Sequence, residues 1–339
     1  MCGACFHVKN VISGIANLAT KAEFVKALGD SDAGRGRGGL GRGEGGPFPL
    51  ATSDSTSDTC GVPTAIGEFR YLEALPRVNS SISGPTRGGA HRPKGTLVLI
   101  HGFPLGASMW EPQLELADRG WRVIAPQLRG FEGASAEVVA TSMEDYAADV
   151  IDLLDALHVE DAVIGGLSMG GYITFAIFRH APRYFRGMVL ADTRAQADSP
   201  EAIESRKRML QLVRDKGPAA VADDMLPKLV CDATRSRQPE VVAKVRNLIL
   251  SNSIDTIGGA IMALMSRPDS TPVLSNIHCP TLIVVGDQDT LTPVSFSEDM
   301  RRGIAGAELV VVPDAGHMSN MEQPDAFNLA LARFLEYRV

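Results

Sequence analysis

The stretch Ala162-Val163-Ile164-Gly165-Gly166-Leu167-Ser168-Met169-Gly170-Gly171 decides how this chain is read. A short apolar run ends on a serine in the pattern Gly-x-Ser-x-Gly, with Gly166 and Gly170 two residues to either side. That spacing suits a strand that turns sharply into a helix. A side chain two residues before or after the serine would crowd such a turn. A serine at its tip presents its hydroxyl to open space. The pattern predicts a strand over Ala162–Ile164, a helix over Ser168–Arg179, and a nucleophilic Ser168 between them.

Apolar strands and helical segments alternate on both sides of this turn. Strands are predicted over Glu68–Ala74, Thr96–Ile100, Trp121–Ala125 (ended by Pro126), Gly187–Ala191, Thr281–Val285 and Glu308–Val312. Helices are predicted over Trp110–Arg119, stopped by Gly120, and over Ser142–Leu157, where Ser142 is the cap and Glu144 and Asp145 fill the first turn. Another opens at Thr292-Pro293, and Pro324–Tyr337 closes the chain. Continuous apolar strands alternating with helices mean an α/β fold, a mostly parallel sheet covered on both faces. The alternation breaks between Thr193 and Thr271. Helical periodicity there runs through Pro200–Lys216, Pro218–Leu229, Pro239–Leu250 and Asp255–Met265. An insertion between parallel strands sits at one edge of the sheet, and ligands bind beyond the carboxyl ends of the strands. Residues 194–271 are therefore expected to form a helical cap, or lid, on a core made of 66–193 and 272–339.

A serine hydroxyl needs a base within hydrogen-bond reach and an acid to orient that base. The strand Thr281–Val285 runs into Gly286-Asp287-Gln288-Asp289, and Glu308–Val312 runs into Pro313-Asp314-Ala315-Gly316-His317. Ser168, Asp289 and His317 follow the chain order nucleophile, acid, base expected on such a sheet. Asp287 and Asp192, also at strand ends, are rival acids. An oxyanion hole needs the N–H after the nucleophile, that of Met169, and one from the loop after an early strand. His101-Gly102-Phe103-Pro104 is that loop, and Phe103 supplies the second N–H. Phe103, Tyr172 and Leu291 adjoin these positions; with Met225 and Met262 from the insertion they are the expected substrate pocket.

From about residue 66 to the C-terminus the chain resembles the α/β-hydrolase fold, most closely its esterase, non-haem perhydrolase and enol-lactone hydrolase branch. HGFP at His101–Pro104, GLSMGG at Gly166–Gly171, GDQD at Gly286–Asp289 and AGH at Ala315–His317 carry the resemblance. It implies a Ser168–Asp289–His317 triad and a serine hydrolase of carboxylic esters, working through an acyl-serine without cofactor or metal; the apolar residues around the serine point to small to medium acyl chains. It also implies that His101 braces the oxyanion loop. A lactone hydrolase of the enol-lactone type is the alternative, because the serine motif suits both, and Pro104 after the oxyanion residue resembles members with perhydrolase side activity. A non-catalytic ligand-binding protein on the same fold is the reading from another class, and the complete triad weighs against it. Relatives have an aspartate where this chain has Gln127, a position that is structural in them. Epoxide hydrolases and dehalogenases place an aspartate where Ser168 stands.

Composition narrows the partners. The 339 residues are 45% hydrophobic and 22% charged, with a net charge of −7. No basic excess favours nucleic acid or an anionic membrane, so a small-molecule ester or lactone is the expected partner. Five cysteines, odd in number and scattered, argue against a disulfide framework and for a reducing, cytoplasmic setting. The Cys2-x-x-Cys5 pair stands alone, and His7, His91, His158, His180 and His278 show no ligand-like spacing. No apolar run reaches transmembrane length. Val11–Ala19 after Lys9 has the look of a short export signal, broken by Ser13, Gly14 and Asn17. Residues 1–65 hold a glycine-rich tract with Arg35, Arg37 and Arg42, then a Ser/Thr/Asp tract, and are expected to be a flexible extension. Gly36–Gly41 matches Gly-x-Gly-x-x-Gly but lacks the strand and helix that give this pattern meaning.

Overall fold

The computed structural model describes residues 62–66, 69–76, 92–134 and 139–339. Among these, eight strands form one sheet: β1 (Val62–Ile66), β2 (Phe69–Ala74), β3 (Thr96–Ile100), β4 (Arg122–Gln127), β5 (Ala162–Leu167), β6 (Phe185–Ala191), β7 (Thr281–Gly286) and β8 (Glu308–Val312). Their order is β1-β2-β4-β3-β5-β6-β7-β8. β1 and β2 pair antiparallel, as do β2 and β4; every other pairing is parallel. The chain steps outward from β3 to β4, then returns past β3 to lay down β5. That reversal opens a crevice at the carboxyl ends of β3 and β5, where open α/β sheets bind ligands. The loop beginning at His101 and the turn at Ser168 flank it.

The described helices are α1 (Met143–Ala156), α2 (Met169–His180), α3 (Pro200–Leu229), α4 (Asp232–Arg237), α5 (Pro239–Leu250), α6 (Ile254–Ser266), α7 (Val294–Gly303), α8 (Ser319–Glu322) and α9 (Pro324–Tyr337). All six residues of β5 and of β7 are buried, which explains their unbroken apolar runs. Ser142 caps α1 in a reciprocal box with Asp145. Between β6 and β7 lie α3 to α6, with α3 packed on α5 and α6. α3 breaks at Gly217, whose φ of +74° no β-carbon-bearing residue adopts easily, and Pro218 restarts the helix. Among the described residues no single helix is long and apolar enough to cross a membrane.

Several predicted elements differ in detail. Trp110–Arg119 belongs to a run of 3-10 turns over Ala107–Arg119 that contains Pro112. Proline lacks the N–H of an α-helical ladder and its ring blocks the carbonyl four residues back. Pro126 lies inside β4 rather than ending it. The parallel pairing of β4 with β3 spans only Arg122–Ile124, so no ladder bond from β3 is forfeited at Pro126. β1 falls within the stretch expected as a flexible extension; residues 1–61, with Cys2, Cys5, the Val11–Ala19 segment and the glycine-rich tract, lie outside the described residues. α4 was not anticipated; six residues are too few for a periodic signal.

β5 runs through Gly165 and Gly166 to Leu167 rather than stopping at Ile164. The glycines are there for close approach. A β-carbon on Gly166 would sit 2.3 Å from the carbonyl carbon of Gly170, and one on Gly170 would sit 2.1 Å from the carbonyl oxygen of Ile100. The start of α2 is thus pressed against the ends of β3 and β5. Gly170→Ala is expected to cost about 3 kcal/mol or more, because both neighbours of the added methyl are backbone and cannot rotate away. Urea unfolding of the variant against the parent protein checks this.

Candidate active site

The turn at Ser168 is held in a strained backbone conformation, φ 55° and ψ −113°. Its N–H donates to the Ala191 carbonyl (2.9 Å), and its carbonyl accepts from the Thr193 hydroxyl (2.8 Å) and the Gly171 N–H (3.0 Å). Bonds from β6 and α2 therefore over-determine the turn. α2 begins at Met169, so the N–H groups just after Ser168 are among the orphan donors of a helix N-terminus, aimed where negative charge is favoured. Met169 itself is fully buried.

The facing loop is braced by His101. Its Nε2 lies 3.3 Å from the Leu128 N–H and its Nδ1 lies 3.1 Å from the Gly102 carbonyl. An N–H can only donate, so Nε2 accepts and Nδ1 carries the proton. Burial pushes the imidazole pKa down to about 4, against the pull of the Gly102 carbonyl. The unfolded chain takes up this proton first, so the stability is intact above pH 6.5 and drains away as pH falls toward 4. The expected loss by pH 4 is about 3 kcal/mol, measurable as the difference in unfolding free energy between the parent and His101→Gln over that range. Asn252, in the turn between α5 and α6, supports the same loop, donating to the Pro104 carbonyl (2.8 Å). Gln127 uses its Oε1 to accept the Ala107 N–H (2.9 Å), while its Nε2 is buried without a partner among the described residues.

At the other side, His317 Nδ1 and Asp289 Oδ2 are 2.8 Å apart, with both side chains buried. Asp289 also accepts the N–H groups of Leu291 (2.8 Å) and Thr292 (2.9 Å) and the Thr292 hydroxyl (2.6 Å). Burial works to raise the Asp289 pKa, but the His317 charge and these donors outweigh it and hold the carboxyl below its ordinary value. Burial likewise works to lower that of His317, and Asp289 overrides it upward. The two rival acids go elsewhere. Asp287 is exposed and accepts the Ala315 N–H (3.3 Å). Asp192 is fully buried, accepts the Gly286 N–H (2.9 Å) and bonds the Ser319 hydroxyl. Burial, then the charge of Asp289, raises the Asp192 pKa well above the carboxylate range.

Sequence reasoning missed Glu322. This buried carboxylate accepts the N–H groups of Gly316 (2.8 Å) and Met318 (3.2 Å), on either side of His317, and that of Cys231 (2.8 Å) just beyond α3. The only signal was an acid set among Met318, Met321 and Pro324. The Met318 N–H donates to the Leu229 carbonyl (3.1 Å), so the histidine loop is tied twice to the end of α3.

Phe103, Ser168, Tyr172, Met225, Leu291 and His317 line one cavity of 330 Å³. Met262 does not; Leu264 lines it instead, because residues two apart on a helix point to nearly opposite sides. Met209 and the charged residues Arg194, Asp198, Arg206 and Lys228 complete much of the wall. The arrangement places a serine at a helix N-terminus, a buried histidine–carboxylate pair and a cavity of mixed apolar and charged lining together, the parts needed for attack on a carbonyl carbon.

Residues 97–330 match the sequence profile described as "Alpha/beta hydrolase family". The chain is 29% identical over 263 residues to 3-oxoadipate enol-lactonase 2 of Acinetobacter baylyi, covering 78% of this chain and 96% of that protein. Among solved structures it is similar to a thermophilic esterase from Thermogutta terrifontis with malate bound (TM-score 0.71, 36% identity, covering 81% of this chain and 97% of the other). It is also similar to the enol-lactonase from Burkholderia xenovorans (TM-score 0.69, 26% identity, 81% and 99%).

Proposed function

The chain belongs to the alpha/beta hydrolase family, and from that premise we propose that it hydrolyses carboxylic esters, with Ser168, Asp289 and His317 as its triad. The 2.8 Å His317–Asp289 pair, beside a cavity that His317 shares with Ser168, is the observation that carries this reading. With Nδ1 turned to Asp289, Nε2 is the nitrogen left for Ser168. It takes the hydroxyl proton as Oγ attacks the ester carbonyl. The N–H groups of Met169 and Phe103 hold the oxyanion. The tetrahedral adduct collapses to an acyl-serine, and His317 returns the proton to the departing alcohol. Water, deprotonated by His317, then releases the acid. Asp289 keeps the imidazole in the productive tautomer and stabilises its charged form. The helices of 194–271 act as a lid, supplying Met209, Met225 and Leu264 to the acyl pocket.

A lactone is the second substrate reading, favoured by the enol-lactonases among the relatives. The chemistry is the same, except that the leaving alcohol stays tethered to the acyl group. Mixing the protein with 4-nitrophenyl butyrate should give a burst of nitrophenolate equal to the enzyme concentration. A panel of simple esters and lactones ranked by kcat/KM then separates the two readings. Absence of any serine-dependent turnover across the panel would overturn both.

A further inference from the structure

One wall of the cavity carries charge that ester hydrolysis alone does not require. Asp198, its side chain 1% exposed, accepts from three guanidinium groups. Arg194 and Arg267 bond its Oδ1, and Arg206 reaches Oδ2 through Nε (3.3 Å). Three guanidiniums on one carboxylate leave two positive charges unmatched within the cluster. Arg194 and Arg206 line the same cavity as Ser168 and His317, and Asp198 is the single acid among the lining residues. The Arg267 guanidinium carbon sits over the Tyr172 ring, 4.0 Å from its centre, and Tyr172 is itself a lining residue. The Nε atoms of Arg194 and Arg267 are buried without a partner among the described residues. Arg206 spends only Nε on Asp198, and its two terminal nitrogens keep no protein partner among the described residues. Lys228, already paired with Asp224 (2.7 Å), adds a further cation to the lining.

Asp198 and Arg267 would suffice to pin the two ends of the β6–β7 insertion together. That role leaves the surplus charge of Arg206 and of Arg194, whose guanidinium also sits over the Phe296 ring (5.2 Å), on the cavity wall. Surplus guanidinium in a partly desolvated cavity is stabilised by an anion, and its planar fork matches a carboxylate. Asp198 already shows a carboxylate seated in the cluster. We propose that this wall is an anion subsite, and that the substrate is an ester or lactone carrying a second, free carboxylate. The inference rests on the ester-hydrolase reading above and specifies what that site takes.

The test compares esters that differ only in this charge. Monoethyl adipate against ethyl hexanoate places the carboxylate on the acyl side; 4-(butanoyloxy)butanoate against butyl butanoate places it on the alcohol side. In at least one pair the anionic ester should be favoured about tenfold or more in kcat/KM, by the size of a charge-assisted contact. Added salt should narrow the ratio, and Arg206→Gln should lower it about tenfold. Ratios at or below one in both pairs, or a ratio untouched by Arg206→Gln in a variant with parental circular dichroism, overturn the subsite. The parental ratios stand without the variant. Failure of the ester-hydrolase reading has a different signature: neither member of any pair is turned over, or turnover survives Ser168→Ala. Calorimetry on Ser168→Ala then decides the subsite alone. Adipate binding at least about tenfold tighter than hexanoate supports it, and equal affinity or no binding overturns it.

Discussion

Ser168→Ala is expected to lower kcat for a nitrophenyl ester by about 10⁶-fold and to abolish the burst. The hydroxyl oxygen forms the covalent bond in the proposed reaction, and no neighbouring group can replace it. The oxyanion donors and the cavity survive the change, so a residual rate of about 10³-fold over water is expected to remain. The backbone argues that this loss is chemical rather than structural. Residue 168 sits at φ 55° whatever its side chain, so alanine inherits the strain of serine. Glycine does not, and Ser168→Gly should be both inactive and more stable than the parent by about 1 kcal/mol. Burst kinetics and thermal unfolding of the two variants together check the argument. Turnover retained in Ser168→Ala would remove serine from the chemistry.

Asp289→Asn is the second large effect, an expected loss of about 10⁴-fold in kcat. The amide nearly matches the carboxylate in shape but cannot stabilise an imidazolium, and it presents a donor where a proton acceptor is required. The pH profile carries the more specific signature. His317 acts as a base only when neutral, and Asp289 raises its pKa above 6.5 despite burial. In the parent, kcat/KM should therefore climb with pH through a midpoint above 6.5. In Asp289→Asn burial is no longer opposed by that charge, so the midpoint should move to lower pH. Asp192→Asn is the control. Its carboxyl already favours the protonated form, and an asparagine offers the same acceptor to Gly286 and a donor to the Ser319 oxygen. Less than about tenfold should be lost there. If Asp192→Asn cost as much as Asp289→Asn, the acid would be misassigned.

The contrast between these two aspartates shows where the limit of sequence reading lies. Both stand at the end of a parallel strand, and both are buried beside the histidine loop. What separates them is which oxygen meets which donor, a matter of ångströms. Asp289 meets His317 Nδ1, whereas Asp192 meets the Gly286 N–H and the Ser319 hydroxyl. Met262 and Leu264 differ in the same way, two residues apart on one helix with only one of them facing the cavity.

Ser168 and its glycines were legible at once, because the turn that they build spans five residues, although the backbone that crowds Gly170 is that of Ile100. The parallel sheet was legible because burial on both faces writes unbroken apolar runs, and the order of Ser168, Asp289 and His317 followed from the strands that carry them. Where the constraint is long-range, the residues looked ordinary. Glu322 holds the Cys231 N–H from 91 residues away, and Arg267 reaches Asp198 across 69. Neither separation bears any period or spacing that a one-dimensional pattern could record. The serine turn was therefore settled by local backbone geometry, which a short motif encodes. The charge and shape of the cavity were settled only by folding, because they arise when side chains from distant helices lose water together and each finds the partner that packing brings within reach.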